Sequence, residues 1–330
     1  MVSAFLGHAS AESNLAADRL HSAIILNSID DPQLKPWHLK LSFQLFDVKG
    51  VATEKGAIEE WWGGPSSFKI DYTSPSYTAT ELHTKDGILR SRGAVVAPAL
   101  LELALRQVVH PIQSAQDFAP SKPTLQQQDF GNVKTDCIML VQEVKNISNP
   151  PLGLFPTYCL DRDNDRLRLS YDFGSQVLSR DRIGVFQERR VVSDQTIYEG
   201  SVKAITAHLE TLQTMTVVAG DLDPSPDLEK VGVKPVSMEG VVTNGRKIGG
   251  DAPHYPPDSR KNHVSGSVVL AARIGGDGRI HSLRIISAPA TDLAVASIAA
   301  VRTWTYTPYL LDGRPTDIET HITVNFNFGS

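Results

Sequence analysis

Hydrophobic and polar residues alternate most cleanly at the end of the chain. From Thr316 to Phe328, Ile318, Thr320, Ile322, Val324, Phe326 and Phe328 fall on one parity, and Asp317, Glu319, His321, Thr323, Asn325 and Asn327 fall on the other. That is the period of a strand with one buried face. Such a strand offers a pairing template wherever its edge stays uncovered. A second clear strand is Trp37 to Phe46, whose odd positions are all apolar.

After it, Gly56 to Trp62, Phe68 to Tyr72, Tyr77 to Leu82 and Gly87 to Arg90 read as a meander of short strands joined by turn residues. Pro98 then stands where a first helical turn tolerates it, and Leu101, Ala104, Leu105 and Val108 mark one apolar helix face ending before His110 and Pro111. A polar stretch, 119–129, reads as loop. Strand patterns return at 137–144, 167–171, 176–178, 184–187 and 204–212. Near the start, Leu15, Leu20, Ile24 and Leu26 predict a short helix stopped by Asp30, Asp31 and Pro32.

Beyond a connector rich in Pro, Gly and Asp, the last third has a tighter pattern. Gly266 to Ile274 alternates, meets the turn Gly275-Gly276-Asp277-Gly278, and returns as Arg279 to Ser287. The apolar residues Ile280, Leu283 and Ile285 break period two once, which predicts a bulge near His281 or Ser282. A helix then follows with Thr291 as its N-cap and with Leu293, Ala296, Ala300, Val301 and Trp304 at helical spacing. Asp312-Gly313 signals a second hairpin before the final strand.

The fold class is therefore α+β: an N-terminal curved antiparallel sheet or open barrel with a helix, and a small C-terminal β-β-α-β unit. The divisions expected are an N-terminal segment 1–30, a β-rich domain 31–215, a linker 216–235 and a C-terminal domain 236–330. Residues 1–14 combine a small apolar patch with Ala9-Ser10-Ala11, as in a clipped export signal.

Composition narrows the function. A net charge of -5 argues against a nucleic-acid binder held by phosphate contacts. No apolar run approaches the roughly 18 residues of a membrane-spanning helix. Cys137 and Cys159 make one bridge feasible, worth about 3 kcal/mol in the chain-entropy account and suited to an oxidising compartment. Asp161-Arg162-Asp163-Asn164-Asp165, with Asp172, begins like a calcium loop, but Arg166 occupies the place of the required Gly. His254, His263, His281 and His321 lack metal-ligand spacing. Glu59 and Glu60 fall on opposite strand faces, so they cannot share a proton. No hydrolase, zinc-protease, dinucleotide or P-loop motif is present. The expectation is a protein that is not an enzyme and needs neither metal nor cofactor.

Two resemblances follow from the residues. The strings Ala252-Pro253-His254-Tyr255-Pro256-Pro257, Gly266 to Leu270, Asp277-Gly278-Arg279-Ile280, Ala299 to Pro308 with Ala300 and Trp304, and Asp312-Gly313-Arg314-Pro315 leading to Ile322–Phe326 closely resemble the C-terminal domain of the TonB family. The resemblance implies a periplasmic or cell-envelope protein of a Gram-negative-type bacterium. It implies β-augmentation at the last strand by an outer-membrane transporter segment, in energy-coupled transmembrane transport, or a homodimer through the same strand. The binding edge would be Asp317, Glu319, His321, Thr323, Val324, Asn325 and Phe326, with Pro253, Tyr255, Pro256, Gly266, Asp277, Gly278, Ala300, Trp304, Pro308 and Gly313 as structural positions. The family's transducer also carries a membrane helix and a long Pro-rich spacer, and this chain shows neither. The passage Gly56 to Asp71 resembles periplasmic lipoprotein-carrier half-barrels. That implies an alternative role as carrier or receptor of a lipid or acylated ligand, with Trp37, Trp61 or Trp62, Phe68 and Tyr72 lining the cavity.

Overall fold

The computed structural model describes residues 3–113, 121–172, 176–217, 222–231, 236–237, 246–311 and 314–328. The chain opens with α1 (Ser3–Asn27). This helix begins well before the expected start near residue 15.

A first meander follows: β1 (Trp37–Phe46), β2 (Ala52–Gly64), β3 (Ser67–Thr73), β4 (Thr78–Thr84) and β5 (Gly87–Ser91). Helix α2 (Ala99–Val109) crosses to a second meander: β6 (Ser121–Phe130), β7 (Val133–Gln142), β8 (Thr157–Asp161), β9 (Leu167–Asp172), β10 (Gln176–Phe186), β11 (Arg189–Glu199) and β12 (Val202–Thr214). The two meanders fuse where β1 pairs antiparallel with β12. Within the stretch expected as linker, β13 (Leu228–Lys230) adds to the outer side of β5. The result is one continuous sheet in the order β13-β5-β4-β3-β2-β1-β12-β11-β10-β9-β8-β7-β6.

Two predicted features need correction. The polar stretch read as loop contains β6, which lies at the end of the sheet and is exposed over much of its length, so packing imposes no clear alternation on it. Pro123 is tolerated there because an edge strand has one unpaired side. The predicted short strands at 176–178 and 184–187 are a single strand, β10, with irregular pairing to β11 near Arg180 and Arg182.

Helix α2 lies in the concavity of the sheet. Its buried Leu101, Ala104, Leu105 and Val108 pack with Trp37, Leu39, Leu41, Ile58, Trp62 and Tyr72 in one core. Trp37 and Trp62 stack with centroids 5.6 Å apart, and the Trp37 indole N–H donates to the Ile29 carbonyl at 2.8 Å. Helix α1 covers β7 to β9 instead, burying Ala16, Leu20 and Ala23 against Ile138, Leu140, Tyr158 and Leu160. Directly across β7 and β8, Cys137 and Cys159 are joined as a disulfide.

The C-terminal unit contains β14 (Val236–Ser237), β15 (Lys247–Gly249) and α3 (Pro257–Lys261), then β16 (Gly266–Ile274), β17 (Ile280–Ser287) and α4 (Thr291–Val301). It closes with β18 (Thr305–Tyr306), β19 (Leu310–Leu311), β20 (Arg314–Pro315) and β21 (Ile318–Phe326). Four strands form its sheet in the order β14-β21-β16-β17, with α4 on one face. In the β16–β17 ladder, Arg273 pairs with Ser282 and Ile274 with Ile280, so His281 is the extra residue of the expected bulge.

The two sheets share apolar contacts, since Met139, Leu154 and Phe155 join the cluster built on α4 and β16. Thr291 does not cap α4. Its hydroxyl donates to the Ser148 carbonyl and accepts from the Ser148 N–H, both at 3.0 Å, tying the helix start to the N-terminal unit.

The acidic residues sort by face as the strand period requires. Glu59 faces outward to Lys40 Nζ at 2.7 Å and His38 at 3.2 Å. Glu60 points into the core and is 3% exposed, and burial, with Asp30 nearby, pushes its carboxyl up to about 8. A raised folded-state value means that the folded chain holds this proton after the unfolded chain has lost it. Stability is therefore expected to fall by up to about 1.4 kcal/mol per pH unit between the ordinary carboxyl range and pH about 8. Urea titrations across that window should show this decline in the natural chain and its loss in Glu60→Gln.

Candidate functional site

The site is built on β21, the strand with the cleanest period. Along it, Ile318, Thr320, Ile322, Val324 and Phe326 are buried, and Glu319, His321, Thr323 and Asn325 are exposed. The buried row meets α4 and the inward row of β16: Val268, Leu270 and Ala272. Pairing with β16 is antiparallel and unbroken, from Gly266 opposite Phe326 to Ile274 opposite Ile318.

The other side of β21 is different. Strand β14 pairs with it in parallel, Val236 to Ile318 and Ser237 to Glu319. From Thr320 to Phe326, no strand among the described residues pairs on that side. In an antiparallel ladder, alternate residues direct both N–H and C=O away from the partner strand. This edge therefore presents a row of backbone donors and acceptors to an incoming chain.

The unit around this edge is held by residues that the sequence singled out. Tyr255 stacks on Phe326 at 5.4 Å, and its hydroxyl donates to the Val264 carbonyl at 2.7 Å. Pro256 sits at the entry to α3 in extended geometry. That short helix is fixed to α4, with the Ser259 N–H and hydroxyl donating to Asp292 at 3.1 and 2.7 Å. The Trp304 indole donates to the Asp251 carbonyl at 2.8 Å, with Lys247 Nζ 3.8 Å above its ring. Ala300 is buried on α4.

Gly278 has φ +74°, and a Cβ there would lie 2.1 Å from the Tyr306 carbonyl oxygen, so only glycine fits this turn. Gly266 has φ +137° and abuts Pro289. Pro308 lies beside the Gly278 turn. Asp312 and Gly313 fall outside the described residues, while their flanks, Leu311 and Arg314, pair with each other.

The same turn touches the N-terminal unit. Asp277 accepts from the Ala99 N–H at the start of α2 at 3.4 Å and from His281 at 3.0 Å, and His281 Nδ1 lies 3.8 Å from Glu102. Burial opposes charge on Asp277, but the His281 contact and backbone donors outweigh it and hold the carboxyl below its usual range. Burial likewise opposes the imidazolium of His281, and the surrounding carboxylates, chiefly Asp277, outweigh it and raise its value. The bulge at His281 thus aims a side chain at α2 that regular pairing would have sent elsewhere.

Asp317, taken with the exposed row in the sequence, belongs to a different group. It precedes β21, is 7% exposed, and accepts from Arg273 Nε at 3.0 Å and from the Gly276 N–H at 2.9 Å. Its carboxylate holds the β16–β17 turn. Glu319, His321 and Asn325 remain accessible beside the edge, although the Ser267 hydroxyl donates to Asn325 at 2.6 Å.

The five aromatic residues considered for a ligand cavity do not form one surface. Trp37, Trp62 and Tyr72 are buried against α2, and Phe68 packs at the margin of that core on His83, 4.1 Å away. Trp61 lies on the opposite sheet face, stacked on His38 at 4.9 Å with Lys69 Nζ 3.9 Å from its ring. The aspartates of the calcium-like loop are engaged by arginines: Asp161 by Arg168 at 2.8 Å, and Asp165 by Arg19 at 3.1 Å.

Comparison with known proteins places a name on the C-terminal unit. Residues 251–328 match the family model described as Gram-negative bacterial TonB protein C-terminal. No curated protein is similar to the chain. Among solved structures, a LolA superfamily protein from Nitrosomonas europaea is 10% identical with a TM-score of 0.42, covering 63% of this chain and 97% of its own. A DUF1329 family protein from Desulfovibrio piger is 12% identical with a TM-score of 0.33, covering 64% of this chain and 94% of its own. The Pseudomonas aeruginosa MucA/MucB complex structure is 11% identical with a TM-score of 0.28, covering 74% of this chain and 72% of its own.

The split between Asp317 and its neighbours is measurable. Asp317→Ala should lower the unfolding free energy by about 1–3 kcal/mol, because it strands a buried N–H and a guanidinium. Glu319→Ala and His321→Ala, in the exposed row, should each stay within about 0.5 kcal/mol of the natural chain in the same urea titration.

Proposed function

We propose that this chain, whose residues 251–328 form a TonB C-terminal domain, binds a short extended segment of an outer-membrane transporter by adding it as a strand beside β21. The observation that carries the reading is the open side of β21 from Thr320 to Phe326. Backbone hydrogen bonds supply affinity in such a mode, and side chains next to the edge select among sequences. Here Glu319, His321 and Asn325 line one face of the added strand, and the ends of Val324 and Phe326 support the other.

Binding of this kind needs no covalent chemistry. The proposal sets this binding in the periplasm or cell envelope, an oxidising compartment that suits the Cys137–Cys159 bridge. Among the described residues no helix is long and apolar enough to cross a membrane. A homodimer through β21 would use the same edge and compete with the peptide. The alternative role as a lipid carrier draws no support from the concavity of the large sheet, where α2 occupies the apolar face.

Isothermal titration of the full chain with peptides taken from the N-terminal segments of outer-membrane transporters tests the reading. A binding peptide should lose at least about tenfold in affinity when its alternate amides are N-methylated, since each lost backbone hydrogen bond removes about 1 kcal/mol. Equal affinity for the methylated and unmethylated peptides would contradict strand addition.

A further inference from the structure

The C-terminal unit meets the N-terminal one along a seam of two unlike halves. One half is apolar, where Met139, Leu154 and Phe155 join the cluster built on α4, and the Thr291–Ser148 hydrogen bonds tie it. The other half is charged. There the β16–β17 turn reaches α2 through Asp277, His281 and Glu102, beside a cavity of about 250 Å³. A second cavity, of about 450 Å³, shares Gln113, Arg273 and Ser282 with the first. Spaces of that size admit water, so close packing does not hold this half.

His281 is the link across the charged half. Its side chain is 6% exposed, with Nε2 3.0 Å from Asp277 of its own turn and Nδ1 3.8 Å from Glu102 of the other unit. An imidazolium there attracts both carboxylates. A neutral imidazole has one N–H to give, and when Asp277 receives it a lone pair is turned toward Glu102.

The cations nearby are used elsewhere. Arg273 is bound to Asp317, and Arg106, on the same helix as Glu102, is bound to Asp172. Arg302 lies 3.6 Å from Glu199, and Arg279 borders the cavity but is exposed. Behind Glu102, Glu81 of β4 accepts from Arg90 at 2.6 Å. Burial pushes the Glu102 carboxyl up to about 7, against the pull of His281, while the carboxylates around His281 raise the imidazole despite its burial. The pair therefore holds protons that it would lose sooner in an undocked unit, and docking weakens as pH rises through its values.

We propose that His281 is a protonation-dependent clasp between the two units. With its proton it locks the C-terminal unit onto α2, and without it the charged half of the seam opens about the apolar half, freeing the small sheet to move against the large one.

The test reads the separation of the units by fluorescence energy transfer in the full chain. The two natural cysteines are joined, so the dyes go to Val48→Cys and Ile248→Cys, at exposed positions on either unit. Glu60→Gln is added to remove the other carboxyl raised into this range. Between pH about 6 and about 9, transfer should change with no change in circular dichroism, the open fraction growing by up to about tenfold per pH unit. His281→Gln, which still donates to Asp277 but does not titrate, should make transfer independent of pH. Constant transfer in the chain that keeps His281, or an equal pH response in His281→Gln, would overturn the proposal. If that variant does not fold, the imidazole resonances of His281 decide: they should titrate together with the transfer change, and titration at a separate pH would overturn the clasp.

Discussion

A backbone that leaves water must find partners for every N–H and C=O, and a sheet meets that demand everywhere except at its edges. In this protein the demand is met very unequally. The large sheet ends on β6 and β13, one largely exposed and the other only three residues long. The small sheet has β21, a nine-residue strand whose buried face is fully packed and whose outer side is paired at just two positions by a described strand. Such an edge is rigid, because α4 and β16 fix it, and unsatisfied, because little lies beside it. Rigidity lowers the entropic cost of capture, and the unsatisfied row supplies the contacts.

The rest of the C-terminal unit serves to hold that strand straight. Tyr255 braces Phe326 at one end. Asp317 closes the other by taking the Gly276 N–H and Arg273. Between them the β16–β17 turn depends on Gly278, and the bulge that follows it turns His281 toward Glu102 on α2. The helix that fills the large sheet is therefore also the surface on which the small sheet rests. Two charged arrangements meet on α2: the His281–Asp277 pair at its start and the Arg180 guanidinium near its end.

Much of this was legible in the residues, wherever one face of an element is buried and the other is not. The periods of β1 and β21, the apolar face of α2 and the slip in register at His281 all follow from that asymmetry. It fails where an element has no such contrast. Strand β6 has no buried position and is exposed over half of its length, and β8 is buried at all five positions, so neither shows an alternation. Asp317 shares the parity of the exposed row but lies before the strand begins, where the chain turns inward. Thr291 has the chemistry of a cap, yet it is drawn to Ser148, a contact between units that no local pattern records.

The central claim, that β21 carries an available edge, can be examined amide by amide. Hydrogen–deuterium exchange of the full chain, resolved by nuclear magnetic resonance, would compare the amides of Thr320 to Phe326 before and after addition of a transporter peptide. Those directed away from β16 should exchange rapidly in the free chain and become protected with the peptide, while those bonded to β16 stay slow throughout. Slow exchange of all of them in the free chain, or no change on adding a peptide that binds, would contradict the account.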